Sequence, residues 1–147
     1  MNLVPFLPGK KHQVYWLEHG ERGDPHEYFR GMDAEPKIRT SKAIAHFADH
    51  EEIDRTRGHP MKWDYEKDVP GEIILFKYKS KGFVHRFYAV IHDHPKGRRS
   101  VIVHGYKAPK SATKDEKDNP REHREKQLAE ERVKQYLAWN ECQGTTQ

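Results

Sequence analysis

Residue types that can move protons or hold phosphate crowd into one stretch of this chain. Lys77, Lys79, Arg86, Tyr88, His104, Tyr106, Lys107 and Lys110 all fall within 34 positions. Lys and Arg hold phosphates, Arg through a planar fork, while Tyr and Phe rings stack on unpaired bases. Cleavage of RNA by its own 2′-hydroxyl needs a group to take that proton, donors for the crowded phosphorane and a donor for the leaving 5′-oxygen. His, Tyr and a Lys of lowered pKa can fill the proton-transfer roles, and Arg the electrostatic one. The same residue types also serve plainer ends. Strand lysines protect an open sheet edge, a strand His can bond to backbone, and a strand Tyr can simply pack.

The elements that must position these groups are legible from periodicity and punctuation. His12 to Glu18 is a β-branched and aromatic run, predicting a first strand that ends at the turn 19–23. Asp24-Pro25 is an N-cap and first-turn pair, predicting a helix from Pro25 to about Met32 with Tyr28 and Phe29 facing inward. Ile38, Ala45 and Ala48, flanked by Ile44 and Phe47, predict a second helix from about Glu35 to Glu52. Residues 54–71 are rich in Gly, Pro and charge and read as a long loop, pinned by Trp63 and Tyr65.

Beyond it the period changes to two. Glu72–Lys79, Val84–His92 and Ser100–Tyr106 read as strands joined by short turns, hence an antiparallel meander. Alternation puts Lys77 and Lys79 with Ile73 and Leu75, places Arg86 and Tyr88 together, and groups Ile102, His104 and Tyr106. His85, Phe87, Ala89 and Ile91 form the better core face of the middle strand. In this reading Lys77, Lys79, Arg86, Tyr88, His104 and Tyr106 converge on an exposed working face. A polar stretch from Ala108 to Asn119 leads to Asn119-Pro120, which opens a helix to about Trp139 carrying Leu128, Val133, Tyr136 and Leu137. Glu141 to Gln147 reads as a flexible tail.

The 147 residues fit one domain, with a core from about residue 14 to 137. The formal net charge is +4, but residues 71–110 carry +7 and the remainder −3. A basic segment in an otherwise slightly acidic chain points to a localised polyanion site. The single Cys142 excludes a disulfide framework and a cysteine-built zinc site. No run approaches the roughly 20 apolar residues of a membrane span, and the first residues lack the form of a signal peptide, so a cytoplasmic protein without membrane contact is expected. His46 and His50 share a helix face, and His92 and His94 flank Asp93, but neither pair sits in a metalloenzyme pattern, so no metal or other cofactor is expected. The terminal helix carries Glu122 with Lys126 and Glu130 with Lys134 at i, i+4.

The order strand, two helices, three antiparallel strands and a terminal helix resembles the RelE superfamily of ribosome-dependent messenger RNA interferases, the toxins of toxin–antitoxin pairs. The HigB-like, phage-derived branch is nearer still. Val101-Ile102-Val103-His104-Gly105-Tyr106-Lys107 is similar to that branch's last strand, Arg86-Phe87-Tyr88 to its arginine-bearing middle strand, and Leu75-Phe76-Lys77 to a strand ending in a basic residue. The likeness runs from about Val14 to Leu137. It implies an α+β fold with an antiparallel sheet packed by two N-terminal helices and followed by a C-terminal helix. It also implies binding in the ribosomal A site, metal-independent messenger RNA cleavage, and neutralisation by an antitoxin, expected to be a helix-turn-helix protein. By position, Lys77 and Arg86 would be phosphate or transition-state ligands, and His104 and Tyr106 candidates for proton transfer or base stacking. Lys79, Tyr88, Lys107 and Lys110 would contact RNA. The alternative from another class is a non-catalytic nucleic-acid- or protein-binding regulator on the same fold.

Overall fold

The computed structural model describes residues 1–52, 61–62, 72–80, 82–109 and 120–145. Strand β1 (Asn2–Leu7) is followed by β2 (Gln13–Glu18), helix α1 (Pro25–Arg30) and helix α2 (Ala34–His50). A two-residue β3 (Met61–Lys62), then β4 (Glu72–Ser80), β5 (Phe83–His92), β6 (Arg99–Pro109) and helix α3 (Pro120–Thr145) complete the order. The class is α+β. The sheet runs β1-β2-β6-β5-β4-β3.

The meander β4–β5–β6 is antiparallel as the short turns require, but β2 lies parallel to β6, so the sheet is mixed rather than wholly antiparallel. The reason is topological: α1 and α2 carry the chain away from β2, so β2 can be laid beside β6 in the same direction. No strand is legible before His12 because Pro5 interrupts the pattern. Pro5 is accommodated on the sheet's edge, where β1 pairs only with β2 and its register shifts between Pro5 and Leu7.

Asp24 organises the passage from β2 to α1. Its Oδ1 accepts from the backbone N–H of His26 and Glu27, both at 3.1 Å, while Oδ2 accepts from His19 at 2.9 Å and Gly20 at 2.8 Å. Burial raises its carboxyl pKa, but the bonds from Gly20, Glu27 and His19 outweigh that and hold it below the usual carboxylate range. In α2 the buried stripe is Pro36, Thr40, Ile44, Phe47 and Ala48. Ile38, expected inside, is 55% exposed, because the buried stripe runs from Pro36 through Thr40 to Ile44 and leaves position 38 on the outer face. The loop residues Trp63 and Tyr65 and the cap Asn119 lie outside the described residues.

The sheet is covered on both faces. On one, α1 and α2 bring Phe29, Ile44 and Phe47 against Trp16, Phe76, Phe87 and Ile102. On the other, α3 brings Ala129, Val133 and Tyr136 against Leu75, Tyr88, Val101 and Tyr106. The exposed working face expected from the sequence is therefore an interior, and α3 packs on it rather than merely following the sheet. That helix also runs on through Thr145 where a tail from Glu141 was expected. Among the described residues no helix is long and apolar enough to cross a membrane.

Burial holds the imidazoles of His12, His19, His85 and His92 below the ordinary value of 6.5. The unfolded chain thus binds more protons than the folded one just below that pH, so stability falls as pH drops through about 6.5, before the carboxylates titrate. Urea-denaturation midpoints are expected to decrease between pH 7.5 and pH 5.5, with an unchanged m-value.

Candidate active site

Cross-strand register brings Lys77, Arg86 and Tyr106 side by side, with Tyr88 opposite His104. A β-bulge makes the last step possible. Tyr88 faces His104 and Ala89 faces Ile102, leaving Val103 as the extra residue of β6. Ile102 consequently points to the α1–α2 core while Val101, Val103 and Tyr106 join the α3 core. The expected grouping of Ile102 with His104 and Tyr106 does not hold, since alternation slips by one residue at the bulge.

The structure brings Arg86, Tyr88, His104 and Tyr106 together, but under α3. Arg86, Tyr88 and His104 are fully buried and Tyr106 is 7% exposed. Two carboxylates from the first turns of α3 meet them. Arg86 Nη1 donates to Glu122 Oε2 at 2.7 Å, and the Tyr106 hydroxyl donates to the same oxygen. His104 Nε2 lies 2.6 Å from Glu125 Oε2, and Arg22 Nη2 lies 2.5 Å from Glu125 Oε1. Burial works against the Glu125 charge, yet the bond from His104 and the positive charges of His104, Arg22 and Arg121 hold its pKa below the ordinary value. Tyr88 and Tyr106 stack, with ring planes 8° apart. Glu122 therefore points into the sheet, a role that its i, i+4 spacing to Lys126 did not disclose.

Gly23 closes the other side of this cluster. Its φ is +82°, and a Cβ there would come within 2.2 Å of the His104 ring. Its carbonyl accepts from Gly105 N–H at 3.0 Å, so the turn is sealed onto β6. A side chain at Gly23 is excluded both by conformation and by the imidazole behind it.

Beside the buried cluster opens a cleft of about 670 Å³ between α1, the start of β5, the end of β6 and the start of α3. Tyr28, His85, Lys107 and Arg121 line it, along with Arg22 and Gly105. Five carboxylates also line it, of which Asp24 caps α1, Glu21 pairs with Arg132 and Glu125 pairs with Arg22. Glu27 and Asp33 are the other two.

Tyr28 and His85 are hydrogen-bonded through the phenol oxygen and Nδ1, and His85 Nε2 lies 3.1 Å from Ser80 Oγ. Burial raises the Tyr28 pKa, so the phenol is protonated and donates. Burial, then the charge of Lys107, lower the His85 pKa against a smaller opposing effect of Asp33. A neutral imidazole that accepts at Nδ1 carries its proton on Nε2, which donates to Ser80. The arrangement is a proton relay one hydrogen bond deep, with cations on the same cleft.

Of the residues singled out in the sequence, Lys107 sits beside His85 on the face opposite Arg86, its ammonium 4.4 Å from the Phe83 ring centroid. Lys79 is exposed and Lys77 half-buried on β4. Lys110 and Lys81 lie outside the described residues. The basic segment also spends charge internally: Arg86 on Glu122, and Arg98 on Glu51 and Asp93. Tyr28 and His85, core-facing by the sequence pattern, line the cleft instead. The one signal for them is a His set with Phe87, Ala89 and Ile91 on the core face near the start of a strand; its partner Tyr28 lies 57 positions away. The His46 and His50 rings lie 4.5 Å apart and tilted by 41° on an exposed helix face, and among the described residues no three metal-ligating side chains gather.

Removing one partner of a buried ion pair leaves an uncompensated charge, whereas replacing both by apolar groups removes the desolvation cost as well. Arg86→Ala is expected to lower unfolding free energy by about 3–5 kcal/mol, while Arg86→Met combined with Glu122→Leu returns to within about 2 kcal/mol of the parent, both read by urea denaturation. Compared with protein-family models, curated proteins and solved structures, the chain finds no match in any of the three.

Proposed function

We propose that this chain is a metal-independent endoribonuclease that cleaves messenger RNA on the ribosome, a RelE-like, HigB-like toxin held in check by an antitoxin. The observation that carries the reading is the Tyr28–His85 relay set in an open cleft with Lys107 and Arg121. The element order around it, β2–α1–α2–β4–β5–β6–α3, supports the same family reading. The chemistry follows from the cleft, not from the α3-covered cluster. Tyr28 oxygen takes the 2′-hydroxyl proton while its own proton passes to His85 Nδ1. The 2′-oxygen attacks phosphorus, Lys107 and Arg121 hold the phosphorane oxygens, and the proton returns through Tyr28 to the leaving 5′-oxygen. A 2′,3′-cyclic phosphate and a 5′-hydroxyl result, with every proton accounted for. Arg86, His104 and Tyr106 act in this scheme by fixing the cleft floor and the start of α3.

Burial of Arg86, His104 and Tyr106 favours a second reading, in which the same fold is a non-catalytic nucleic-acid- or protein-binding regulator. Induced expression in bacteria with mapping of message 5′ ends separates the two. Under the nuclease reading, wild type arrests growth and creates new ends in translated messages, and His85→Ala lowers cleavage by about 10²-fold with folding intact. Normal growth and no new ends with the wild type would leave only the binding module.

Lys107 offers a finer check. Its charge lowers the His85 pKa, and His85 must be neutral to accept the proton. In Lys107→Ala the acid limb of the cleavage rate is expected to move to higher pH, in addition to a loss of rate from the missing phosphate contact. A pH–rate profile of the purified variant reads both effects.

A further inference from the structure

Arg99, the first residue of β6, is 8% exposed, yet among the described residues no carboxylate lies within ion-pair distance of it. Its guanidinium carbon sits 4.9 Å from the Tyr15 ring centroid, and Nη2 lies 3.0 Å from His94 Nδ1. That nitrogen of His94 also accepts from Lys96 N–H at 3.0 Å, so it is a shared neutral acceptor and not a counter-charge. Arg99 Nε is buried with no hydrogen-bond partner. The contrast with Arg98 next door is direct, because Arg98 is more exposed and pairs with both Glu51 and Asp93. The Tyr136 hydroxyl is a further partner, and it too carries no charge to offset the guanidinium. A guanidinium withdrawn from water and left with rings, a neutral imidazole and a phenol is a site awaiting an anion.

The surroundings define what that anion is attached to. Arg99 lines a cavity of about 450 Å³ where β1, the turn between β5 and β6, and the last turns of α3 meet. Leu3, Pro95 and Trp139 give it apolar walls, Lys96 adds a second cation, and Glu141 is the acid on its lining. This cavity lies at the opposite end of β6 from the cleft that holds His85 and Lys107, and it shares no residue with it. We propose that it binds a small carboxylate with an apolar or aromatic body, the carboxylate on Arg99 and Lys96 and the body between Leu3, Pro95 and Trp139. Inorganic phosphate, with the charge but no body, is the contrasting ligand.

The test is an amide and indole NMR titration of the full chain with phenylacetate and, separately, with inorganic phosphate. Saturable shifts at residues 94–99 and at the Trp139 indole are expected with phenylacetate, which should bind about five-fold or more tightly than phosphate because its ring leaves water. Arg99→Gln is expected to weaken phenylacetate at least about ten-fold. Lys96 is exposed, so Lys96→Ala keeps the fold even where Arg99→Gln does not, and it should weaken binding about three-fold. The proposal is overturned by an absence of saturable shifts there, by phosphate binding as tightly as phenylacetate, or by parent-like affinity in Lys96→Ala.

Discussion

Two glutamates near the start of α3 decide what this sheet can be. Glu122 and Glu125 reach down to Arg86, Tyr106 and His104, and in doing so fix the angle and position at which a long, mostly charged helix lies across β5 and β6. An apolar stripe of Ala129, Val133 and Tyr136 is narrow for a helix of 26 residues. Apolar packing therefore holds the middle of α3, and charge-assisted hydrogen bonds hold its beginning. Buried ion pairs of this kind contribute little net stability over apolar substitutes, but they strongly penalise any arrangement in which one partner is left alone. Their effect is to admit one docking of α3 and reject its neighbours.

That docking displaces chemistry toward the end of the sheet. With Arg86, Tyr88 and His104 sealed, the polar groups open to a ligand at this corner are those that the first residues of β5 and the last residues of β6 share with α1, where Tyr28, His85 and Lys107 meet. Asp24 is the quiet organiser of this corner. Its two oxygens receive four backbone N–H groups, tying the exit of β2 to the first turn of α1 and so setting where Tyr28 stands. Gly23, immediately before it, lets the same turn press against His104. Cleft and buried cluster are thus two sides of one turn.

Much of this was legible in the residues. The Asp24-Pro25 pair announced the start of α1 to the residue, and the period-two runs with their short turns announced β4, β5 and β6 as an antiparallel meander, but the alignment of Arg86 with Tyr106 depends on the bulge at Val103, which the turns do not contain. What could not be read was which face the terminal helix would choose. Arg86 and Glu122 are 36 positions apart, and nothing local distinguishes a glutamate that will point inward from one that will face water. Counting charge also misled, because Arg86 and Arg98 belong to the basic segment but are spent on the chain's own carboxylates, and Arg99 is buried. His85 was visible only as a polar residue on a core face, and its pairing with Tyr28 is a long-range contact that alternation alone does not contain.

The bulge at Val103 gives β6 a peculiar relation to its own length. Before it, Ile102 serves the core under α1 and α2. After it, His104 and Tyr106 serve the core under α3, and Gly105 turns its bare backbone toward Phe87 and Tyr28. A strand built this way is tolerant of exchange and intolerant of counting errors. Substituting one aliphatic for another at 101 to 103 perturbs a single layer, but shortening the strand by one residue would carry imidazole and phenol into the aromatic core and drive a glycine under Glu125. For β6, the number of residues is a stricter inheritance than their identity.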